Sequence, residues 1–294
     1  MRALTASNLP VSDTPKSRRG LLIVLLLIPM GVICTISFIL PVLRLAQLSF
    51  MQSHAGVLTD IYTFENYLKF FSDSFSLQLI WNSLSTSLMV TAITLLCAYP
   101  IALFLYRCTS RWRNLLFVIT ISPLLVSSVV RTFGWMVLLG DQGIINDTLL
   151  SLHMIDTPFA LVNNQLGVCI GLVETLIPYM VLSLIAGFGK LDLTIEEAAA
   201  TLGAGRFTRF YRIILPMTMP GIALGSLFCF VLAISAFITP KLLGGGRVFL
   251  LATEIYDAAI VQLEWAMAAT LSIVVLMIFG LTLFAYNRFS RQLD

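Results

Sequence analysis

Six stretches of the chain are almost unbroken in apolar residues: roughly Leu21–Leu43, Leu84–Leu105, Leu115–Leu139, Leu166–Phe188, Met217–Ile238 and Ala266–Tyr286. Each runs for about twenty residues or more, which at about 1.5 Å per residue reaches across a hydrocarbon layer of about 30 Å. None shows the alternation of a barrel strand, and in lipid a lone segment satisfies its backbone only as a helix, so six transmembrane helices are predicted. Two shorter apolar stretches, Tyr67–Phe71 and Ile144–Leu152, are too short to span and predict helices lying along the membrane surface.

Composition agrees with this pattern. The chain has 294 residues, 58% hydrophobic and 11% charged, whereas a soluble domain is about 45–50% apolar and about 25% charged. The net charge of +3 says little, but the placement of the charges orients the helices. With the N-terminus inside, thirteen of the eighteen Lys and Arg residues fall on the cytoplasmic side: Arg2, Lys16, Arg18 and Arg19 in the tail, Arg107, Arg111 and Arg113, then Lys190, Arg206, Arg209 and Arg212, and finally Arg288 and Arg291. Arg44, Lys69, Lys241 and Arg247 remain outside, on connections 44–83, 140–165 and 239–265, and Arg131 falls inside the third span. Tyr62, Tyr67, Trp81 and Trp265 suit anchoring positions at the outer interface. The expected fold class is therefore an all-α membrane protein of six transmembrane helices with both termini cytoplasmic. Its parts are a tail at 1–20, a membrane domain at 21–290 carrying a cytoplasmic loop at 190–216, and a short tail at 291–294. The basic residues before the first span resemble a signal peptide, but no small-residue cleavage site follows and more spans do. Five cysteines without a CxxC pair and two isolated histidines, His54 and His153, offer no metal site.

The loop between the fourth and fifth spans is patterned beyond what a linker needs. Asp192 or Thr194 can cap a short helix, Glu196 and Glu197 suit its positive N-terminal end, and Ala198 to Ala200 favour helix. Gly203 and Gly205 stop it. A second helix is then expected, with Arg206, Arg209 and Arg212 on a basic face and Phe207, Phe210 and Tyr211 on an apolar one. Taken alone, such a basic amphipathic segment fits a lipid-resting helix.

The spacing of Glu197, Ala198, Ala199, Gly203, Ile213, Leu215 and Pro216 resembles the EAA motif, EAA-x3-G-x9-I-x-LP, of binding-protein-dependent ABC importer permeases. Phe64-Glu65-Asn66-Tyr67, Arg131-Thr132-Phe133-Gly134-Trp135, Ile155-Asp156-Thr157-Pro158, the run from Leu215 to Gly221 and Leu242-Leu243-Gly244-Gly245 resemble the spermidine/putrescine branch, in particular its first permease subunit. The resemblance implies the type I importer architecture in a bacterial inner membrane. It also implies a coupling helix that seats on the ATPase through Glu196, Glu197, Ala198, Ala199, Gly203, Arg206, Ile213, Leu215 and Pro216. The implied partners are an ATP-binding cassette ATPase dimer, a second permease subunit, an external solute-binding protein and membrane lipid, with no nucleic acid. No phosphate-binding loop GxxxxGK[ST] is present, so ATP and Mg are expected in the ATPase subunit, with no cofactor in this chain and no enzyme activity of its own.

Arg131 lies about 12 Å below the outer end of the third span, and Glu174 lies within the fourth. A charge facing lipid at such depth costs at least about 2.5 kcal/mol, so both should face protein or a water-filled path. Arg131, Trp135 and Glu174 are the candidate path residues, with two readings open: Glu174 attracts a cationic solute, or Arg131 and Glu174 pair as internal glue. The expected function is transport of a small polar solute, a polyamine or relative, by ATP-driven alternating access. An ion-coupled secondary transporter would normally show two related halves with interrupted helices, and an intramembrane enzyme would need a nucleophile and base or a metal cluster within the spans. Neither is visible.

Overall fold

The computed structural model describes residues 16–54, 57–108, 110–189, 191 and 193–290. Of the residues singled out above, Arg2, Lys190, Asp192, Arg291 and the side chains of Lys16, Arg18, Arg19 and His54 lie outside that description. The chain divides into two units, residues 1–47 and 48–294. The first consists of helix α1 (Lys16–Ser49) as far as Gln47, with an apolar span from Leu27.

The second unit begins with an antiparallel hairpin, β1 (Met51–His54) and β2 (Val57–Tyr62), in which Met51 faces Tyr62 and Ser53 faces Leu58. Nothing in the apolar pattern announced it. Helix α2 (Glu65–Ser72) follows, and the Phe64–Tyr67 motif explains its attachment. Buried Asn66 donates to the carbonyls of Ser49 and Met51 at 3.0 and 2.9 Å, and the Tyr67 hydroxyl meets Ser49 Oγ at 2.8 Å. The motif thus supplies hydrogen bonds that the chain leaving α1 lacks.

Helix α3 (Ser74–Arg107) starts ahead of the predicted second span because Asp73 caps it, accepting from the Phe75 and Ser76 amides at 3.2 and 3.3 Å. The third span is not one straight helix. Helix α4 (Trp112–Ile121) runs into a 3₁₀ turn at Ser122–Leu125 and then breaks, and α5 (Ser128–Leu139) leaves in another direction, continuing past Gly140 into α6 (Ile144–Ser151). The two halves meet at 103°. Pro123 offers no amide to the preceding turn, and Val126 and Ser127 adopt extended ψ values of 136° and 132°. Among the described residues, five helices are therefore long and apolar enough to cross a membrane, and six if the bent pair counts as one span.

Helix α7 (Gln165–Phe188) is the centre of the fold, and the loop after it supplies α8 (Leu193–Thr201) and α9 (Arg206–Arg209). The second helix expected in that loop is no separate element. It passes through a π turn at Phe210–Ile214 directly into α10 (Leu215–Ser235), giving a continuous apolar helix from Arg206. Pro216 accounts for the widened turn: its ring would crowd the carbonyl four residues back, and the Leu215 amide instead reaches Phe210, five back. Short helices α11 (Ile238–Leu243) and α12 (Leu251–Tyr256) and a second π turn at Asp257–Val261 lead to α13 (Trp265–Ser290).

The core lies where α3, α7 and α10 pack together. Val90, Ala98 and Leu105 of α3 meet Leu176, Met180, Leu184 and Phe188 of α7 and Cys229 and Ala233 of α10, all buried. Gly187 of α7 and Gly221 of α10 set the closest approach: a Cβ on Gly221 would stand 2.9 Å from the Gly187 Cα. This is small-residue packing, in which backbones touch because no side chain intervenes. A second cluster, Phe70, Leu79, Leu251 and Leu271, joins α2, α3, α12 and α13.

Candidate functional site

The loop after α7 is held at both ends before it reaches its motif. Leu191 is buried, and its carbonyl accepts from the Tyr106 hydroxyl at 2.8 Å, which fixes the loop's entry to the end of α3. Beneath it, Phe188 stacks edge-on against Tyr99 and Tyr106, and Phe210 stacks against Tyr99, with centroids 5.6–5.8 Å apart. Each such pair contributes about 0.5–1.5 kcal/mol beyond area burial. Phe210 therefore points inward, while Phe207 (84% exposed) and Tyr211 do not.

Within α8 the two glutamates part company. Glu196 faces the protein, where Arg107 Nη2 reaches its Oε2 at 2.6 Å and Arg209 Nη1 its Oε1 at 3.5 Å. Glu197, one residue on, is exposed, as are Ala198, Ile195 and Leu202, whereas Ala199 shares the half-buried side. The helix ends in a Schellman arrangement: the Ala204 amide bonds the Ala199 carbonyl and the Gly203 amide bonds that of Ala200, both at 3.0 Å. Gly203 has φ +83°, the left-handed geometry that glycine adopts at no steric cost. Thr194 lies inside α8, so the cap position falls on residue 192, outside the described residues. Ile213 is half-buried in the π turn, Leu215 packs on the core and Pro216 is exposed.

In the membrane-spanning part the structure brings Arg131, Trp135 and Glu174 together. Arg131 Nε lies 3.2 Å from Glu174 Oε2, and the Trp135 indole N–H donates to the same oxygen at 3.3 Å. Arg131 also donates to the Pro123 carbonyl at 2.6 Å and to Thr175 Oγ1 at 3.0 Å. The arginine thus adds a second donor, beside the Val126 amide at 3.3 Å, to the Pro123 carbonyl at the break in the third span, and Glu174 neutralises it. Beside this cluster, Ser128, Arg131, Thr175, Tyr179, Phe237 and Thr239 line a cavity of about 280 Å³.

With this geometry in view, comparison with known proteins is decisive. Residues 98–293 match the family described as binding-protein-dependent transport system inner membrane component. The chain belongs to that family. It is 37% identical to the spermidine/putrescine transport system permease protein PotB of Haemophilus influenzae over 79% of this chain and 81% of the relative. It is 34% identical to PotB of Escherichia coli K12 over 87% of this chain and 93% of the relative. Among solved structures, a bacterial ABC transporter involved in import of the acidic polysaccharide alginate matches 94% of this chain and 96% of its own with a TM-score of 0.73 at 17% identity. The MetNI methionine ABC transporter matches 74% of this chain with a TM-score of 0.57 at 13% identity. At those identities the two structures speak for the fold alone. The protein is thus a multi-pass inner-membrane permease subunit of an ABC importer, a transport component and not an enzyme.

As a permease of this family the chain shows which residues the motif left unmarked. Arg107 and Tyr106, at the far end of α3, hold the loop in place. Arg107 was visible only as a cytoplasmic charge, and no local signal tied it to a glutamate 89 positions later. Arg209 was read as one of a basic face, but its guanidinium turns onto Glu196. Arg206 lines the cavity beside them.

Proposed function

We propose that this permease moves a polyamine, and that its loop at 190–216 is the surface on which an ATP-binding cassette subunit seats. The observation that carries the polyamine reading is the 34–37% identity, over most of both chains, to permeases named for spermidine and putrescine. The exposed side of α8 and the turn after it support the docking reading: Glu197 offers a charge, and Ile195, Leu202 and Phe207 offer apolar side chains that are exposed among the described residues. In this reading the loop and both termini are cytoplasmic, as the Lys and Arg placement favours. A binding protein delivers solute on the outer side, and a second permease subunit completes the path. The partner ATPases hold ATP and Mg and bias the permease between its outward- and inward-facing states.

The cavity beside Arg131 belongs to the path in this reading. Its hydroxyls (Ser128, Thr175, Tyr179, Thr239) and the ring of Phe237 suit a slender cation that makes several weak contacts, and Glu174 cancels the charge of Arg131. The test is uptake of labelled spermidine and putrescine by the whole transporter in proteoliposomes, driven by its binding protein and ATP. Saturable uptake lost in Glu197→Lys is the expected result. Failure of the purified binding protein to bind either amine would sink the polyamine reading and leave membership of the importer family untouched.

A further inference from the structure

A cavity of about 450 Å³ opens between the last turn of α3, the inner side of α8 and the turn at α9. Three guanidinium groups, Arg107, Arg206 and Arg209, line it against one carboxylate, Glu196. Both oxygens of that carboxylate are engaged, one facing Arg107 and the other Arg209. Two donors are left over. Arg209 Nε is buried and has no hydrogen-bond partner, and the Arg206 guanidinium forms no ion pair or hydrogen bond among the described residues. Buried donors of a charged group are normally satisfied, so this one marks a place where an acceptor belongs. The remaining walls, Leu103, Phe210 and Ile214, are apolar and run on into the spans α3 and α10.

We propose that this pocket binds a phosphate group, that of an anionic phospholipid in the leaflet next to the loop. Arginine presents paired N–H groups that match two oxygens of a phosphate. A basic pocket between membrane helices, charged on its aqueous side and apolar towards the spans, suits a headgroup whose chains stay in the hydrocarbon. The phosphate takes Arg206 and the Arg209 Nε while Arg107 keeps Glu196, so the lipid fastens α9 to the end of α3. The stiffness of the loop then depends on the membrane. This inference rests on the reading that the loop lies at the inner membrane surface.

The experiment uses the assembled transporter in nanodiscs of phosphatidylcholine with a minor fraction of phosphatidylglycerol, and counts lipid retained through delipidation by native mass spectrometry. Wild type is expected to retain phosphatidylglycerol at least about tenfold better than Arg206→Gln/Arg209→Gln, in which both phosphate contacts are lost. Arg113→Gln, outside the pocket, should match wild type. Arg206→Lys/Arg209→Lys, which keeps the charge but not the fork and guards against a folding artefact, should fall between. In phosphatidylcholine alone, millimolar inorganic phosphate that stabilises wild type but not the Gln variant against heat would assign the same site to free phosphate and support the chemistry. Equal phosphatidylglycerol retention by wild type and Gln variant, without any phosphate-dependent stabilisation, overturns the proposal. Loss of the ATPase subunits from the variant at unchanged lipid retention overturns it too, because the arginines would then belong to a subunit interface. Lipid retention is read without transport, so a transporter that seats its ATPases elsewhere leaves this readout standing.

Discussion

Glu174 and Glu196 are both held by arginine, yet the two clusters are built on opposite terms. At Glu174 one carboxylate meets one guanidinium, and the spare donors of Arg131 go to a backbone carbonyl and a threonine hydroxyl. The side chains are 13% and 25% exposed, and the charges cancel. At Glu196 three guanidinium groups stand around one carboxylate, and donors remain free. The difference follows from the surroundings. Within a span an uncancelled charge costs about 2.5–3.5 kcal/mol or more, whereas at the aqueous rim water and salt screen the excess. A closed cluster holds the fold, while an open one keeps charge available for something outside the chain.

The largest expected effect comes from opening the closed cluster. Arg131→Met leaves Glu174 charged beside Trp135 and removes the stronger of the two donors to the Pro123 carbonyl, which keeps only the Val126 amide at 3.3 Å, and should destabilise the subunit by about 3 kcal/mol. Adding Glu174→Gln removes the orphaned charge and should recover about half of that loss. The measurement is thermal unfolding of the assembled complex for both single variants and the double. If the two single effects simply add, the pair is uncoupled, and Glu174 becomes available to a cationic solute instead.

These clusters also show what the sequence exposes and what it hides. Helix α7 follows its apolar run almost to the residue, because burial from several sides keeps that run continuous. The start of α3 was missed because Asp73 is a polar cap lying outside the apolar run it initiates. Pro123 was plain in the third span, yet whether a proline bends or breaks a membrane helix depends on who satisfies the freed carbonyl. Here the Ile119 carbonyl, four residues before Pro123, accepts from Ser122 Oγ at 2.8 Å, while Arg131, eight positions on, bonds the Pro123 carbonyl at the break itself. The loop motif read clearly through Gly203, since a helix stop is a local event. The ion pair between Arg107 and Glu196 could not be read, because it exists only once α3 and α8 are folded together. The hairpin at 51–62 gave no signal for a related reason: its register needs only a few cross-strand pairs, too few to imprint a period.

On the open side, the next largest effect belongs to Gly203. Valine at φ +83° is strained by about 1–3 kcal/mol, and nothing crowds the position, so the cost is conformational and not steric. Gly203→Val should unseat α8 and collapse uptake while the subunit still inserts into the membrane. Gly203→Asn, which tolerates the left-handed region, should keep most of the transport. Quantitative uptake by proteoliposomes, scaled to assembled complex, compares the two. Equal losses in both would mean that the side chain itself, and not the backbone geometry, is excluded there.

The smallest effect tests whether the open cluster contributes stability at all. Arg107 is 40% exposed, so its ion pair with Glu196 is discounted for screening to about 0.5 kcal/mol. Glu196→Ala should therefore barely move the unfolding temperature, in contrast to Arg131→Met. Its consequence should appear in coupling, because α8 loses its inward anchors while Glu197 still faces out. ATP hydrolysis per solute moved is expected to rise, and the reversed pair Arg107→Glu/Glu196→Arg should restore part of the ratio. Like-charge contact between the new arginine and Arg209 keeps that restoration incomplete, and adding Arg209→Gln should improve it. Measured in one preparation, the ratio of ATP hydrolysed to solute imported separates the readings. A change in stability with no change in that ratio would make Glu196 a second structural clamp of the same kind as Glu174.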